Sequence, residues 1–483
     1  MDLFLGIDLG ASSLKASLLD THGRLVDTAR IALRTDHPAA GHSEQDPAAW
    51  RGAMLAACHE LAARQNGQSE NRLTNVQAMS FSGGAHIAVF CDADARPLRP
   101  AILWSDQRAD EQAAHLRMST QVEAISGNRP NATWTLPQML WLAEHEPHII
   151  ATTKKLFFAK DWLRYQLTEH HTCDATEAAG GMLADKAGLW SPDLQSLSGL
   201  DAAAFAPLLD AQAVAGHVSA AAAAEFGLPV GLTVYQGAID TSMEWLCLGP
   251  PKADAASLKL ASAGVLSIST PTPTPQPPIS LYPHVAPQLF YYAAGMSDCM
   301  GAIAWVRENL TPELSAAEFA QAAERAPLGA EGLLFYPYLS GARAPFWDSA
   351  LRAELYGLTR GHGASAIARA AFEGVGYVLT AIWHDMTTRL GRTPDHLQLL
   401  GGGAEIGFFA QMLADMLNTP LQTGAQTDCS VATAWLAGCA HGAFDMQKDD
   451  LAHQAPVQQF VPDKQAHRGY AERHDKFMAR HRA

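Results

Sequence analysis

The sequence predicts an α/β protein built from two domains of similar size that meet at a cleft. Three observations support this fold class. The chain has 483 residues, which is too long for a single hydrophobic core. Hydrophobic residues make up 48% of the chain and charged residues 17%, as expected for a folded globular protein. A strand, a turn of small residues and then a helix or a second strand recur in both halves, which is typical of α/β architectures.

The first half opens with a predicted β-hairpin. The stretch LFLGIDLGASSLKASLLDTHGRLV, residues 3–26, places two apolar runs on either side of a glycine-containing turn. Hydrophobic periodicity and turn residues predict the elements that follow. They are an amphipathic helix over 48–65, a strand, turn and strand over 76–92, two helical stretches across 135–170, and an alanine-rich helical segment over 200–227.

The second half repeats this alternation of strands and helices. The predicted elements are a strand over 232–240 followed by a helix, a strand, small-residue turn and strand over 257–270, a proline-rich loop over 271–278, a helix over 364–391, a strand over 396–404 and a helix over 406–417. We place the domain boundary at the segment CLGPPKAD. The predicted domains are therefore residues 1–248 and residues 249–483.

The charge balance and the cysteines argue against several classes of protein. Acidic side chains outnumber basic ones by 49 to 34, and the net charge of −15 argues against nucleic acid or an anionic membrane as a partner. The seven cysteines are scattered without a CxxC pair. We therefore expect reduced thiols and a cytoplasmic location, with neither a disulfide framework nor a zinc site. No run of 18 apolar residues occurs, so neither a membrane span nor a secretion signal is predicted.

Asp8 is the first residue that points to chemistry. It lies inside an apolar strand, where a buried charge without a partner is costly. The adjoining turn, Gly10-Ala11-Ser12-Ser13, offers backbone N–H groups and hydroxyls that suit an anion, although an ordinary hairpin turn has the same composition. A carboxylate beside such a turn suits a hydrated Mg²⁺ that phosphates also bind.

Asp240 and three consecutive glycines are the next candidates. Asp240 ends a predicted strand where a helix begins, so it is either a helix N-cap or a general base aimed into the cleft. Gly401, Gly402 and Gly403 form either a flexible connection or a loop that lets a flat or anionic ligand approach the backbone. The chain has no Walker loop and no protein kinase signature, so a nucleotide would be held in another way.

His86 and the segment LWSDQR, residues 103–108, complete the set of candidates. A single histidine among apolar residues is more often part of a core than of a site. Trp104, Asp106 and Arg108 are close together in the sequence. They form either a surface salt bridge or a cluster that binds hydroxyl groups.

Nine ordered segments of the chain have counterparts in one known family. They are LGIDLGASSLKA, GHSEQDPAAW, LRPAILWSDQR, AKDWLRYQLT, QGAID, YPYLSGARAP, GLTRGHG, EGVGYVL and GGGAEIGFFAQMLAD. In order and spacing, from residue 3 to about residue 445, they resemble the FGGY carbohydrate kinases. The resemblance implies two domains of the actin-like, ribonuclease-H-like ATPase fold. It also implies transfer of the γ-phosphoryl group of MgATP to a hydroxyl of a small sugar or polyol bound in the cleft.

The resemblance assigns roles to individual residues. It makes Asp240 the base that accepts the proton of the sugar hydroxyl, and Asp8 the carboxylate that faces Mg²⁺ through water. The residues at ATP-binding positions are Gly10, Ser12, Ser13, Lys15, Ser262, Gly401, Gly402, Gly403 and Gln411. The residues at sugar-binding positions are Ala85, His86, Trp104, Asp106 and Asp240. A homodimer is also compatible with the resemblance.

The resemblance is strongest to family members that phosphorylate D-xylulose, which implies D-xylulose 5-phosphate as the product. Three segments depart from the family's common pattern. The first turn lacks a threonine and a glycine, the second turn (Ala261-Ser262-Ala263) keeps one hydroxyl of two, and Gly84-Ala85 replaces a Gln-Met pair. The alternatives are therefore a kinase for another pentulose or polyol, such as ribulose, a pentitol, glycerol or a tetritol, and a sugar- or nucleotide-binding relative with weak catalysis. The retention of Asp8, Asp240 and the three glycines favours an active kinase.

Overall fold

The computed structural model describes residues 2–63, 71–348, 350–424, 428–451 and 457–481. The strands of the first half are β1 Leu3–Leu9, β2 Ser13–Asp20, β3 Leu25–Ala32, β4 Glu44–Gln45, β5 Val76–Gly83, β6 Ala88–Cys91, β7 Ala101–Ile102, β8 Lys155–Phe158, β9 Cys173–Asp174, β10 Leu208–Leu209, β11 Val214–His217, β12 Thr233–Tyr235 and β13 Ala238–Ile239. The strands of the second half are β14 Ala256–Leu260, β15 Gly264–Thr270, β16 Ser280–Pro283, β17 Phe290–Met296, β18 Leu334–Tyr336, β19 Glu354–Tyr356, β20 Leu397–Leu400, β21 Leu421–Thr423 and β22 Gln458–Phe460.

The helices alternate with these strands. They are α1 Pro47–Ala63, α2 Asp110–Arg117, α3 Thr120–Ser126, α4 Thr135–His145, α5 Pro147–Thr152, α6 Ala159–Thr168, α7 Ala175–Gly180, α8 Pro192–Leu197, α9 Ala220–Phe226, α10 Asp240–Met243, α11 Met300–Leu310, α12 Ala316–Arg325, α13 Ala364–Leu390, α14 Gly407–Leu417, α15 Cys429–His441 and α16 Lys464–His481. Short 3₁₀ helices cover Arg72–Asn75, Ala202–Ala204, Glu244–Leu248, Ala330–Gly332 and Gly402–Glu405. Within the described ranges, no helix combines the length and the apolar character needed to cross a membrane.

A mixed sheet organises the first half of the chain. Its strand order is β11-β12-β5-β1-β2-β3, and β13 also pairs with β5. The predicted hairpin is confirmed, because β1 and β2 pair in antiparallel register, while β1 runs parallel to β5. In this register Asp8 lies between Lys15 on β2 and Ser82 on β5.

Three parallel strands of this sheet end at the same place. Leu9 at the end of β1 and Ile239 at the end of β13 both lie beside Gly83 at the end of β5. Because the carboxyl ends of parallel strands meet at one edge, Asp8 and Asp240 are brought to the same edge of the sheet. This edge faces the second half of the chain.

A second sheet organises the later half. Its strand order is β16-β17-β15-β14-β20-β21-β22. The predicted pair of strands over 257–270 is confirmed as the antiparallel β14–β15 hairpin, and β14 runs parallel to β20. Leu258 and Leu260 on β14 pack in one core with Phe372 and Tyr377 of α13. Because β14 and β20 run parallel, the hairpin turn after β14 and the glycines after β20 lie at the same end of this sheet.

Helix α15 comes from the later half but packs on the sheet of the first half. One face of that sheet joins a core with α1, in which Ile7 and Trp50 are buried. On the opposite face, a Cβ on Gly6 would lie 2.1 Å from the carbonyl oxygen of Ser430 and 2.3 Å from the amide nitrogen of Ala434. The lack of a side chain at Gly6 therefore lets the helix backbone touch the strand. The domain boundary placed after residue 248 stays a prediction.

The alanine-rich segment over 200–227 is where the sequence prediction was wrong. Instead of one helical stretch, it forms a 3₁₀ turn, strands β10 and β11, and the short helix α9. Strand β11 pairs with β12, and Gly216 within it has φ 154°, which a helix does not accept. Sheet pairing thus outweighs the helix propensity of alanine.

Residues 135–170 likewise contain the unpredicted strand β8, which pairs with β6. The helices over 364–391 and 406–417 are confirmed as α13 and α14.

We expect Gly6→Ala to destabilise the protein by about 3 kcal/mol, because the added methyl group must push α15 away from β1. Gly52→Ala is the matched control, since Gly52 is exposed in α1 and has no atom within 4 Å of its Cβ position. Alanine there raises helix propensity, so stability should be unchanged or higher. The measurement is the urea midpoint of unfolding, and equal midpoints for Gly6→Ala and the unsubstituted protein would contradict the close helix contact.

Candidate active site

Asp240 is the first residue of α10, directly behind β13. Its side chain is half-buried, and the amide of Thr241 donates a hydrogen bond to Oδ1 at 2.6 Å. Burial raises the pKa of Asp240 to about 7. The positive charge of Lys259 opposes this rise, while the carboxylates of Glu244 and Asp8 add to it. A carboxyl group with this pKa can take up and release a proton near neutral pH.

Asp8 lies beneath the same edge of the sheet and is only 8% exposed. The Ser82 hydroxyl donates a hydrogen bond to Asp8 Oδ1 at 2.7 Å. Burial raises the pKa of Asp8 to about 6. The Ser82 hydrogen bond and Lys15 lower the pKa of Asp8, whereas Asp428 and Glu244 raise it. The hydrogen bond and the nearby lysine therefore compensate the buried charge only in part.

Two ion pairs flank these carboxylates. Lys15 pairs with Asp428, the N-cap of α15, and Lys259 on β14 pairs with Glu244. Burial lowers the pKa of Lys259, but Glu244 and Asp240 outweigh this and hold it above its ordinary value, so the ammonium stays charged. Both ion pairs join the two halves of the chain across the site.

Several of these residues were missed in the sequence. Glu244 lies four residues after Asp240, about one helical turn on, and Lys259 lies two residues before the Ala261–Ala263 turn. That spacing was the available signal for both. Asp428 and Cys429 reach the site only because α15 packs on the first sheet, where Cys429 Sγ lies 3.7 Å from the carbonyl oxygen of Asp240. No local pattern in the sequence indicates that contact.

The first turn, residues 10–13, is closed by its own backbone. The amide of Gly10 donates to the carbonyl oxygen of Ser13 at 3.1 Å. Ser12 is exposed, whereas Ser13 is buried and its hydroxyl accepts a hydrogen bond from Arg30 Nε at 3.2 Å. Ser12 therefore presents the more accessible hydroxyl of the two predicted ATP-binding serines.

The second turn and the three glycines lie side by side. Ser262 is exposed, and its carbonyl oxygen accepts a hydrogen bond from the amide of Cys299 at 2.7 Å. A Cβ on Gly401, where φ is 83°, would lie 2.6 Å from the carbonyl oxygen of Leu260. A Cβ on Gly402 would meet no atom within 4 Å. The loop thus packs tightly against the turn at one glycine and leaves open space at the next. Gly403 also packs tightly, since a Cβ there would lie 2.7 Å from the Leu260 Cβ.

Gln411 lies on α14, further from this loop. Its amide nitrogen donates to Asp415 Oδ1 and to the carbonyl oxygen of Val461, each at 2.9 Å. The side chain thus ties α14 to the segment that leads into α16. Its predicted contact with ATP stays a prediction.

His86 is buried and has an unusual backbone conformation. Its φ is 51°, in the left-handed region that favours glycine, and the residue is 6% exposed. Burial lowers the pKa of His86 to about 3, and the nearby guanidinium of Arg343 lowers it further. The imidazole is therefore neutral at neutral pH. Arg343 itself is exposed and comes from the later half of the chain.

Trp104 is 44% exposed, which is high for a tryptophan. A Cβ on Gly84 would lie 3.6 Å from the Trp104 ring and 3.3 Å from the Ile87 side chain. Ala85, the neighbour of His86, is half-buried. The Gly84-Ala85 departure from the family pattern therefore affects the space directly beside an exposed indole.

Asp106 does not have the accessibility that a sugar ligand needs, which corrects the sequence prediction. The residue has no exposed surface. Its Oδ1 accepts hydrogen bonds from the backbone amide and Nε of Arg108, and its Oδ2 accepts from the amide of Ser43 at 2.6 Å and from an Arg108 terminal nitrogen at 2.8 Å. The carboxylate is saturated by these contacts. It orders the loop that carries Trp104.

Aromatic residues of the later half form the wall between Asp240 and His86. Tyr282 stacks on Tyr291 with 5.4 Å between ring centroids, and it lies 5.9 Å from Trp134, which is next to His86. The hydroxyls of Tyr291 and Thr241 share a hydrogen bond of 3.0 Å. These rings were not singled out in the sequence, since tryptophans and tyrosines at strand positions are ordinary core residues.

The cleft thus joins the half-buried carboxyl group of Asp240, the buried carboxyl group of Asp8, two lysines and small-residue loops. A neutral histidine, an exposed indole and tyrosines suit a polyhydroxylated ligand, because such ligands need hydrogen-bonding groups on an apolar surface. Lysines and open glycine loops suit phosphate groups. The arrangement can therefore move a proton and a phosphoryl group between two small ligands.

The raised pKa of Asp8 predicts a stability effect with a defined pH dependence. The pKa of Asp8 in the folded protein lies above its ordinary value. The free-energy cost of burying the ionised carboxylate is therefore absent below about pH 4 and reaches its full size above about pH 6. We expect Asp8→Asn to stabilise the protein at pH 8 by roughly 3 kcal/mol, and to have no such effect at pH 4. The measurement is the melting temperature of both proteins across this pH range.

Asp20→Asn is the control, because the pKa of Asp20 is shifted in the opposite direction and its removal should have the opposite effect on stability. Burial raises the pKa of Asp20, but hydrogen bonds from the amides of Arg24 and His22 and from the Arg24 guanidinium outweigh it and lower the pKa overall. Removing this charge should therefore destabilise the protein at pH 8. A lower melting temperature for Asp8→Asn at pH 8 would contradict the burial cost assigned to Asp8.

Comparison with known proteins gives matches over most of the chain. Residues 3–247 match the N-terminal domain of the FGGY family of carbohydrate kinases, and residues 261–440 match its C-terminal domain. The xylulose kinase of Escherichia coli (strain K12) is 31% identical over 484 residues, which cover 98% of this chain and 98% of that protein. The gluconokinase of Bacillus subtilis (strain 168) is 24% identical, over 91% of this chain and 88% of that protein.

The solved structures agree with these matches. The crystal structure of xylulose kinase from Rhodospirillum rubrum has a TM-score of 0.89 and 27% identity, and covers 99% of this chain and 98% of that chain. The predicted fold class, two actin-like ATPase domains, is confirmed. ATP and a small sugar are the substrates of such a kinase. On this evidence the chain belongs to the FGGY family of carbohydrate kinases.

Proposed function

We propose that this protein transfers the γ-phosphoryl group of ATP to D-xylulose and forms D-xylulose 5-phosphate. The relatives that are named xylulose kinases support this choice of sugar. The observation that carries the proposal is the position of Asp240. Its half-buried carboxylate lies at the carboxyl end of the first sheet, close to Lys259 and Asp8, with a pKa near neutrality.

Asp240 acts as the general base in this proposal. Thr241 binds Oδ1, so Oδ2 accepts the proton of the attacking sugar hydroxyl. As that proton moves to Asp240, the sugar oxygen bonds to the γ-phosphorus and the bond from phosphorus to the bridging oxygen of ADP breaks. Such a transfer depends mainly on alignment and charge neutralisation.

Asp8 is placed to hold Mg²⁺ through water. Its Oδ1 is used by Ser82, which leaves Oδ2 for a water ligand of the ion. In the part of the chain that the structure describes, no three His, Cys, Asp or Glu side chains are grouped to hold a metal. Mg²⁺ is commonly bound through one or two carboxylates together with waters and substrate phosphates, and Asp8 can supply such a carboxylate. When bound, the ion would neutralise phosphate charge and offset the burial of Asp8.

The triphosphate fits between the two small-residue turns. We place it near Ser12 on one side and near Ser262 and the open backbone of Gly402 on the other, with Gly10, Gly401 and Gly403 shaping the loops. Lys15 and Lys259 supply positive charge where the turns have lost hydroxyl groups relative to the family pattern. The adenosine then lies along the glycine loop towards α14.

An alternative sugar substrate is favoured by one observation. Gly84 and Ala85 place small residues beside Ile87 and the exposed Trp104, where the family pattern has a longer Gln-Met pair, so this surface could accept another pentulose or a polyol. A relative with weak catalysis is the other alternative, because the turns have fewer hydroxyls. The homodimer and the cytoplasmic location stay predictions.

We expect sugar-dependent ATP turnover on D-xylulose that falls by about 10²–10⁴-fold in Asp240→Asn, because a positioned general base contributes that much. The assay compares D-xylulose, D-ribulose, pentitols, glycerol, tetritols and gluconate, with Mg²⁺ present or chelated. Greater turnover on another compound of this panel would support the same phosphoryl-transfer mechanism but identify a different substrate. If no sugar raised turnover above that of Asp240→Asn, the kinase proposal would be wrong.

Lys259→Met should move the acid limb of the kcat/KM profile to higher pH. The positive charge of Lys259 lowers the pKa of Asp240, so its removal raises the pH at which the base becomes ionised. Lys259→Arg preserves the charge and should keep the limb near pH 7. An unchanged profile in Lys259→Met would show that the kinetic base is not the carboxyl group beside Lys259.

A further inference from the structure

We infer that the first turn of α7, through Thr176 and Glu177, positions both the sugar-binding histidine and the catalytic base. The inference rests on the proposed function, which gives those roles to His86 and Asp240. Thr176 and Glu177 are 3% and 0% exposed, so neither can reach a ligand directly. They act through the backbone groups that they hold.

Glu177 holds the backbone of His86. The amide of His86 donates to Glu177 Oε2 at 2.9 Å, and the hydroxyl of Thr135 donates to the carbonyl oxygen of His86 at 2.7 Å. These contacts fix the peptide groups on both sides of His86. Its φ of 51° lies in the left-handed region, which glycine adopts far more readily than residues with a side chain. The orientation of the imidazole therefore depends on this clamp.

Thr176 holds the backbone directly before Asp240. The amide of Ile239 donates to Thr176 Oγ1 at 3.0 Å, and this hydroxyl in turn donates to Asp174. Strand β13 has only two residues, so few other backbone hydrogen bonds fix its end. Adjacent residues of one helical turn thus bind the backbone on the sugar side and on the base side.

The turn itself is anchored by a buried charge cluster. Asp174 is the N-cap of α7 and pairs with Lys160, and Asp161 pairs with Lys160 at 2.6 Å and with Arg164. These two anions and two cations are all at most 2% exposed. Their charges balance, so a further negative charge on Glu177 would be uncompensated.

The surroundings of Glu177 accordingly favour its neutral form. Burial raises its pKa well above the ordinary value; Lys160 opposes this, and Asp161 and Asp174 add to it. The side-chain amide of glutamine has nearly the same shape as a neutral carboxyl group, and its oxygen can accept the same hydrogen bond from His86. Glutamine at position 177 should therefore preserve the contact with His86, and leucine should abolish it.

The first test compares Glu177→Leu with Glu177→Gln. Sugar binding is measured by calorimetry without ATP, and KM for ATP by steady-state kinetics. We expect Glu177→Leu to weaken sugar binding by about tenfold, the loss expected for one buried hydrogen bond, with KM for ATP unchanged. Glu177→Gln should bind the sugar like the unsubstituted protein.

The second test compares Thr176→Val with Thr176→Ser. We expect Thr176→Val to lower kcat by about tenfold while sugar binding stays near normal, because it releases the peptide next to the base. Thr176→Ser keeps the hydroxyl and should restore kcat. Thr153→Val is the matched control, since Thr153 is also buried and its hydroxyl donates to a helix carbonyl, that of Ile149, outside the site.

The outcomes separate this inference from the proposed function. Three results would overturn the inference. The first is unchanged sugar binding in Glu177→Leu, and the second is an equal loss of binding in Glu177→Leu and Glu177→Gln. The third is a fall in kcat in Thr176→Val no larger than that in Thr153→Val. If Glu177→Leu did not fold by circular dichroism, Thr135→Val would replace it, with the same expected loss of sugar binding. A protein that binds sugar without phosphorylating it would refute the proposed function, while the calorimetry would still decide the positioning of His86.

Discussion

The contact between α15 and β1 at Gly6 is the constraint on which the rest of the site depends. A helix from the later half of the chain lies directly on the sheet of the first half, with no side chain between them at that point. This contact carries Asp428 to Lys15 and Cys429 to the carbonyl oxygen of Asp240. The candidate active site of this FGGY kinase is thus assembled from segments up to 413 residues apart in the sequence.

The site is electrostatically unfavourable until its ligands arrive. Asp8 is buried and Asp240 is half-buried near it, and burial raises the pKa of each of them. Lys15 and Lys259 oppose this only in part, and each is itself paired with another carboxylate. A proton acceptor near neutral pH results from this incomplete compensation. The same arrangement costs folding stability, as is common where charged groups are held away from water.

Rigidity around the site comes from buried polar contacts behind it. The charge cluster of Lys160, Asp161, Arg164 and Asp174 contacts no ligand, yet it fixes the start of α7. Asp106 has the same kind of role on the sugar side, where its saturated carboxylate orders the loop of Trp104. Buried polar residues can therefore act by holding other groups in position, and accessibility is what separates them from residues that contact a ligand.

The sequence by itself determined the family, the alternation of strands and helices, and the positions of Asp8, Asp240 and the three glycines, because these depend on local patterns and on ordered motifs. It misassigned the alanine-rich segment over 200–227, since pairing of β11 with a distant strand outweighs local helix propensity. It also could not distinguish Asp106 from a ligand, because saturation by Arg108 and Ser43 is a property of packing. Only the tertiary structure brought Asp428, Cys429 and Tyr282 to the cleft. Contacts between segments so far apart are decided by how the sheets and helices pack, and no local pattern encodes them.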